Sequence, residues 1–444
     1  MAYVFRGGIY FSDNKITQNA KTERIAPPKR LKIPMLQSDC KPAVPTVAVG
    51  MHILRGDIIG APVNDDAIPI HSPVSGTVTD IGELILPNGK QSAFVEIAND
   101  MQYTLSSAVE KCEKRLADCE PDEIMAAVRN SGVCEPNGTP SHLLLRDAVG
   151  RAEYCIVNCV FDEPYVSGDY RIALENPVAV VNGLKIILKA LKLRRGFIAV
   201  GDSKTELLKK LTVLTRKDKL VSVIPVRGKY PAGGARELIY AVMGAELAEG
   251  KCPIDAGAVI FSSASVTNIY SSFASGVPFT ARVVTVGGDA VAETKNIMVP
   301  FGTPLSELVD FAGGLKEKPT RIVLGGAMTG RELTGDFANL DSVVTKTTTA
   351  LLLFSGKETD RYAEPPTCIR CGKCAAVCPM RLVPSALYKL SLEEKYEKAM
   401  KKGALLCEEC GACAYVCPGK VPLTEYIGRI KLYAAEKETE VTHE

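Results

Sequence analysis

Fifteen of the 444 residues are cysteine, and eight of them fall into two copies of one pattern. Cys368, Cys371, Cys374 and Cys378 are followed by Pro379; Cys407, Cys410, Cys413 and Cys417 are followed by Pro418. Each run is C-x2-C-x2-C-x3-C-P, the spacing with which thiolates ligate [4Fe–4S] clusters. Three cysteines close in sequence wrap one corner of a cubane, and the fourth, before proline, reaches the other cluster. The expected sets are Cys368, Cys371, Cys374 and Cys417 for one cluster, and Cys407, Cys410, Cys413 and Cys378 for the other. A pair of structural zinc sites is the competing reading. Zinc leaves cysteines over and accounts for neither the third spacing nor the two prolines. Gly372, Ala375, Gly411 and Ala414 are small enough to let backbone amides approach the sulfides.

Two clusters side by side conduct single electrons and need a donor and an acceptor. The rest of the composition narrows what those are. Lys plus Arg is 53 against 51 for Asp plus Glu, a net charge of +2. That balance supports neither nucleic-acid binding nor a polybasic membrane surface. The four histidines, His52, His71, His142 and His443, are scattered and form no metal or nucleophile pattern. The odd cysteine count argues against a full disulfide framework, and clustered thiols point to a reducing cytoplasm. Residues 1–25 have no apolar core of signal-peptide length. The apolar stretch 178–193 is interrupted by Asn182, Lys185 and Lys189, and 350–354 is too short to span a bilayer. No direct transmembrane segment is expected, so membrane attachment comes through partner proteins. The other seven cysteines, Cys40, Cys112, Cys119, Cys134, Cys155, Cys159 and Cys252, read as buried small hydrophobes.

With 46% hydrophobic residues the chain can build several cores. Four textures divide it. Residues 1–105 hold short alternating segments at 46–50, 53–59, 68–70, 76–81 and 93–97, punctuated by Pro and Gly, and read as a small β module. Residues 121–265 alternate helices (from 121, 177–193, 204–217, 235–243) with strands (154–160, 197–200, 220–226), the pattern of an α/β sheet. Residues 280–335, with strands at 282–286, 297–300 and 321–324, read as a small mixed module. Residues 360–435 are helical between the cysteines, with one amphipathic helix over 384–402; 433–444 reads as a frayed tail. The segment Gly201-Asp202-Ser203-Lys204 lacks a phosphate-loop pattern and reads as an Asp/Ser helix cap. Lys189, Lys192, Arg194 and Arg195 read as a helix C-terminus.

The segments VGMHILRGDIIG and HSPVSGTVTDIG resemble the half-motifs of lipoyl and biotinyl barrel-sandwich domains. Ser75-Gly76 occupies the place of the lysine-bearing hairpin tip, which implies that fold without a swinging arm. Taken with FRGGIYFSDNKITQN, LKIPMLQ, EYCIVNCVFDEPYVSGDYRIALENP, VIPVRGKYPAGGARELIYAVMG, RVVTVGGDAV, VPFGTPLSELVDFAGG, RIVLGGAMTG, CIRCGKCAAVCP and CEECGACAYVCP, the chain resembles the C subunit of Rnf complexes in order and over its length. The resemblance implies a multidomain α+β chain. Its parts would be a barrel-sandwich (lipoyl-like) module, an α/β domain like the NADH-binding flavoprotein subunit of complex I, a β-grasp-type (SLBB) module and a helical two-cluster ferredoxin domain. It implies a peripheral subunit on the inner face of the cell membrane that passes electrons between NAD(H) or flavin and membrane partners. FMN and NAD(H) would bind at Asn158, Glu163, Tyr230, Gly233 and Gly234. A flavin is what converts a two-electron hydride into single electrons. No catalytic residue is assigned.

Four segments depart from the family at that site. The glycine-rich loop G-x-G-G-A-x-F-P-T reads GVCEPNGTP, so Cys134, Glu135 and Pro136 crowd a place where glycine amides would reach a phosphate. Phe161 stands where an acid is expected, with Asp162 one position on; Ala235 replaces another acid. The family's N-V-G-T, on the flavin side, reads Ser262-Ser263-Ala264-Ser265. These departures imply an alternative: an iron–sulfur adaptor feeding another reductase, with flavin and nicotinamide binding weakened or lost.

Overall fold

A computed structural model describes residues 5–12, 14–248, 250–334, 340–356 and 366–441. After the short strand β1 (Glu23–Arg24), the chain forms β2 (Arg30–Pro34), β3 (Val44–Pro45), β4 (His52–Ile53), β5 (Ile58–Ala61), β6 (Ile70–His71), β7 (Gly76–Ile85) and β8 (Gln91–Asn99). Sheet β2-β8-β7-β4 faces sheet β3-β5-β6, with antiparallel pairing throughout. Alternation along the strands sends Leu31, Ile33, Ile53, Ile59, Val78, Val95 and Ile97 into the core between them. The strand expected at 46–50 is a loop. Ser75-Gly76 is no exposed tip. Ser75 is fully buried, and Gly76 opens β7 paired to both Asn99 and Ile53. A Cβ at Gly76 would lie 2.1 Å from the Ala98 carbonyl oxygen, so only glycine lets the strands close there.

The central unit is a parallel sheet of β9 (Tyr154–Cys159), β10 (Gly196–Gly201), β11 (Val221–Val226) and β12 (Ala258–Ser262), ordered β11-β10-β9-β12. Its helices are α1 (Pro121–Ser131), α2 (Ser141–Ala148), α3 (Gly168–Glu175), α4 (Pro177–Ala190), α5 (Thr205–Thr215), α6 (Ala235–Met243) and α7 (Ser263–Ser275). Both faces of β9 are covered, so Cys155, Ile156 and Val157 are all buried in succession. Cys119, Cys134 and Cys159 are buried as well, but Cys112 and Cys252 are exposed. Gly183 of α4 meets α7 so closely that a Cβ would sit 2.2 Å from the Val266 carbonyl oxygen. The 201–204 turn is not an Asp/Ser cap. The Asp202 carboxylate accepts from the Gly228 amide, and Lys204 stands at the N-cap of α5.

A six-stranded sheet follows, ordered β1-β14-β13-β17-β15-β16. It contains β13 (Ala281–Gly287), β14 (Lys295–Pro300), β15 (Arg321–Leu324), β16 (Arg331–Glu332) and β17 (Ala350–Phe354), with α8 (Leu305–Phe311) beside it. The short apolar run at 350–354 is thus an internal strand, parallel to β13 and antiparallel to β15.

The C-terminal part is helical: α9 (Lys373–Val377), α10 (Pro384–Leu392), α11 (Tyr396–Met400), α12 (Ala412–Tyr415) and α13 (Leu423–Val441). The single helix expected over 384–402 breaks into α10 and α11, with Glu394 at φ +53° between them. The expected frayed tail is helical through Val441, while 442–444, with His443, lie outside the described residues. Leu387, Ile427 and Ile430 bury α13 against α10, and Tyr433 packs on Tyr396 at 4.9 Å.

The three N-terminal units meet at Lys346, whose ammonium donates to the carbonyl oxygens of Gly132 (2.6 Å) and Pro69 (3.4 Å). His71 is buried beside it with no partner for Nδ1. Burial, then the Lys346 charge, pushes the His71 imidazole down to about 3. The folded chain therefore refuses a proton that the unfolded chain accepts near its ordinary pKa of 6.5. Stability contributed by neutral His71 is complete above pH ~6.5 and is lost as pH falls towards ~3, at about 1.4 kcal/mol per unit. His71→Gln should flatten that slope. Urea midpoints of the two proteins at about pH 7 and pH 4 check it; parallel losses would count against it.

Candidate iron–sulfur centre and the flavoprotein-like joint beside it

The eight motif cysteines surround two cavities. One is lined by Cys368, Cys371, Cys374 and Cys417. The other is lined by Cys378, Cys407, Cys410 and Cys413. The two motifs fold alike. Arg370 and Glu409 occupy the same position in each and both have left-handed backbones, at φ +57° and +53°. Gly372 and Gly411 follow, each at φ +76° and each capping a helix, α9 or α12. These turns curl three cysteines around one cavity, and the chain then carries the fourth across to the other. Among the described residues, no three His, Cys, Asp or Glu side chains converge on a point that would hold a single metal ion. The thiols stand around a space instead, which is what a cubane needs and a mononuclear zinc site does not. The Sγ of Cys378 accepts from the Leu382 amide and that of Cys407 from the Glu409 amide, both at 3.4 Å. Such bonds are among the features that set a cluster's potential.

The two cavities differ in surroundings. Cys371 is exposed, so the first lies at the protein surface. The second is tied to the central unit through several contacts. The Tyr230 hydroxyl donates to the Cys410 carbonyl oxygen at 2.7 Å. Ile9 pairs with Tyr230, and the Gly8 amide donates to the Val377 carbonyl oxygen at 2.7 Å, so residues 5–11 strap the two units together. Phe11 packs between Tyr230 and Tyr415, at 5.3 and 5.7 Å. Glu237 of α6 is buried near Glu408, and burial with that neighbouring charge pushes its carboxyl up to about 8.

The residues expected at a flavin or nucleotide site are gathered at this joint, but their polar groups bind protein. Asn158 donates to the Gly233 carbonyl oxygen at 2.9 Å, and Asp162 accepts from the Gly233 amide at 2.9 Å. Glu163 accepts from the Met328 and Thr329 amides at 2.6 and 3.2 Å, holding a loop against which Gly411 packs. A Cβ at Gly234 would lie 2.3 Å from the Glu237 carboxylate. Phe161 packs edge-on against Tyr170 at 5.6 Å. Tyr230→Phe should leave the half-buried Cys410 carbonyl without its donor, at about 1 kcal/mol. It should also lower the midpoint potential of one cluster while the other stays. A redox titration followed by electron paramagnetic resonance reads both; an unchanged pair of midpoints would show that the hydroxyl does not tune the cluster.

Whether this unit suits FMN turns on the loop before β9. That loop closes on itself. The Glu135 amide donates to the Thr139 carbonyl oxygen, the Gly138 amide to that of Glu135, and the Ser141 amide to that of Val133, at 2.8, 2.9 and 3.0 Å. The Thr139 amide donates to the Asn137 side chain at 3.1 Å, and Pro136 and Pro140 have no amide proton to offer. At the N-terminus of α7 the Ser262 amide donates to the Glu135 carboxylate at 2.8 Å, and the Ser265 amide to the Ser262 hydroxyl at 3.1 Å. A phosphate reaching for these loop amides or for the Ser262 and Ser265 amides finds each of them already engaged, with the Glu135 carboxylate in the place beside Ser262. The residues present do not fit FMN. The Glu135 contact was half legible beforehand, as a negative charge in the loop. Thr424, with its hydroxyl 3.8 Å from the Cys413 thiol, left no sequence signal at all.

Thiol-lined paired cavities carried on an α/β scaffold define an iron–sulfur electron-transfer protein. Family models match in chain order: the RnfC barrel sandwich hybrid domain at 3–102, the Nuo51 FMN-binding domain at 128–271, the SLBB domain at 283–332 and a 4Fe-4S dicluster domain at 361–418. The chain is 32% identical over 408 residues to the C subunit of the proton-translocating ferredoxin:NAD(+) oxidoreductase complex of Clostridium ljungdahlii, covering 90% of this chain and 87% of that protein. It is 32% identical over 381 residues to the Na(+)-translocating counterpart of Acetobacterium woodii, covering 85% of each. It therefore belongs to the family of C subunits of Rnf-type ferredoxin:NAD(+) oxidoreductase complexes. Its fold is also similar to a chain of an NAD+-reducing [NiFe]-hydrogenase, with a TM-score of 0.50 at 16% identity, over 70% of this chain and 61% of that one.

Proposed function

We propose that this chain is the peripheral iron–sulfur subunit of a membrane-bound ferredoxin:NAD(+) oxidoreductase-type complex. It passes single electrons between the NAD(H)/flavin side and the membrane subunits through two [4Fe–4S] clusters. The observation that carries the reading is the crosswise gathering of the eight cysteines, four to a cavity, in a chain whose modules follow the family's order. In this reading Cys368, Cys371, Cys374 and Cys417 ligate one cluster, and Cys378, Cys407, Cys410 and Cys413 the other. The functional units are 1–105, 121–265, 280–335 and 360–435; the first residues of the last lie outside the described residues. Among the described residues no helix is long and apolar enough to cross a membrane, so attachment to the inner face of the membrane runs through partner subunits.

The chain's own residues hold the clusters, tie the second to the central unit through Tyr230 and the 5–11 strap, and leave the first exposed at Cys371 for a partner. The test is isolation under anaerobic conditions from membranes of the native host. The tagged chain should carry about eight irons, leave the vesicles in high salt without detergent, and bring membrane redox subunits with it when mild detergent is used. A chain with full iron that never co-isolates with a membrane subunit would overturn the assignment to such a complex.

A further inference from the structure

Glu135 is a buried carboxyl group held at the start of α7 by Ser262. Its residue is 7% exposed. One oxygen, Oε2, accepts the Ser262 amide at the start of the thirteen-residue helix α7, and the other, Oε1, has no partner. The neighbouring Cys134 carbonyl oxygen accepts from the Ser265 hydroxyl at 3.1 Å, so the loop is latched to the same helix end at two points. A helix N-terminus carries a partial positive charge that favours an anion. We propose that Glu135 is a built-in anion standing where a flavin phosphate would bind at the N-terminus of α7, so that this chain carries no FMN and its clusters receive electrons from a flavin- or cluster-bearing protein partner. The inference rests on the electron-transfer reading above and moves the flavin from this chain to a partner.

Two further features support it. Burial, with a smaller contribution from the Asp169 carboxylate, pushes the Glu135 carboxyl up to about 7 against the Ser262 and Ser265 hydrogen bonds that lower it, so a phosphate at the same place would add a further negative group beside buried carboxyls. The hairpin 133–141 consumes the amides of Glu135, Gly138, Thr139 and Ser141 internally, so moving Glu135 aside is the least change that frees a donor at α7.

The experiment compares anaerobically purified full-length wild type, Glu135→Gln and Glu135→Ala. Iron and acid-released flavin are measured per chain, and FMN is titrated by quenching of its fluorescence. Inorganic phosphate is added in a parallel thermal shift. Circular dichroism and iron content confirm that each variant is folded and loaded. Wild type should hold about eight irons, no flavin, and no measurable affinity for FMN. Glu135→Gln, which removes the charge but keeps an oxygen on the Ser262 amide, should gain less than Glu135→Ala; a Gln variant that binds as tightly as the Ala variant would show that the charge alone, and not the occupied amide, excludes the phosphate. Glu135→Ala should bind FMN or phosphate at least about tenfold more tightly, a gain of about 1.4 kcal/mol. Stoichiometric FMN in the wild type would overturn the inference, as would a folded Glu135→Ala as flavin-free and phosphate-blind as its parent. Missing iron would instead count against the electron-transfer reading, so the two failures are distinct.

Discussion

Cys378→Ala should remove the cluster whose other three ligands belong to the second motif, dropping the iron content from about eight to about four per chain. The reason is geometric: Cys378 lines the cavity of Cys407, Cys410 and Cys413, and not the cavity of its own motif. Pairs of substitutions make the test decisive. Cys378→Ala with Cys410→Ala strikes one cavity twice, so the double variant should keep about four irons, as either single variant does. Cys378→Ala with Cys371→Ala strikes both cavities and should lose nearly all iron and the broad visible absorbance. The ligation of each cluster by one motif alone predicts the reverse for these two doubles. The signal of the wild type after reduction should also show two interacting paramagnets, and each single-site variant only one.

Phe261→Ala should cost the central unit about 3–5 kcal/mol. Phe261 is among the largest fully buried side chains, on β12 between α-helices that cover both faces of the sheet. Removing its ring leaves a cavity among side chains packed from the helices and from β9, to which β12 is hydrogen-bonded along its length, so the site collapses only partly. At about 2–4 °C per kcal/mol for a unit of this size, the melting temperature should fall by roughly 6–20 °C. The chain has no tryptophan, so far-UV circular dichroism is the direct measure. A shift of under a few degrees would mean that the site relaxes around the deletion. Ser262 follows Phe261 and holds Glu135, so the same variant should also loosen the latch at α7.

The strands and helices with strong periodicity were legible in advance. α1, α4, α6, β9 and β11 stand within a few residues of where apolar spacing placed them, because each buries a continuous face. The elements that were missed have separate causes. α7 runs through SASVTNIYSSFAS, where serines weaken the helical pattern. In the fold, Thr267, Ser271 and Ser275 turn their hydroxyls back onto carbonyl oxygens one turn earlier, so the helix tolerates them. β17 was seen only as a short apolar run, and its place between β13 and β15 depends on partners far away in sequence. The helix over 384–402 looked continuous because charge spacing carries no mark of the left-handed residue Glu394 that breaks it.

Which cysteines line each of the two cavities was legible in the sequence, because the chemistry of a cubane demands thiols at fixed short spacings and the chain can meet that demand locally. The fate of the flavin-like region was decided only in three dimensions. Asn158, Glu163, Tyr230, Gly233 and Gly234 come from segments far apart, and whether their polar groups face a ligand or one another depends on what packs against them. Here the 325–330 loop, the strap at 5–11 and the Cys410 segment take up Glu163 and Tyr230, and Asn158 and Asp162 grip Gly233. A loop sequence states which donors a chain owns; only the folded neighbourhood determines that the α7 amide meets Glu135, because that contact joins residues separated by more than a hundred positions.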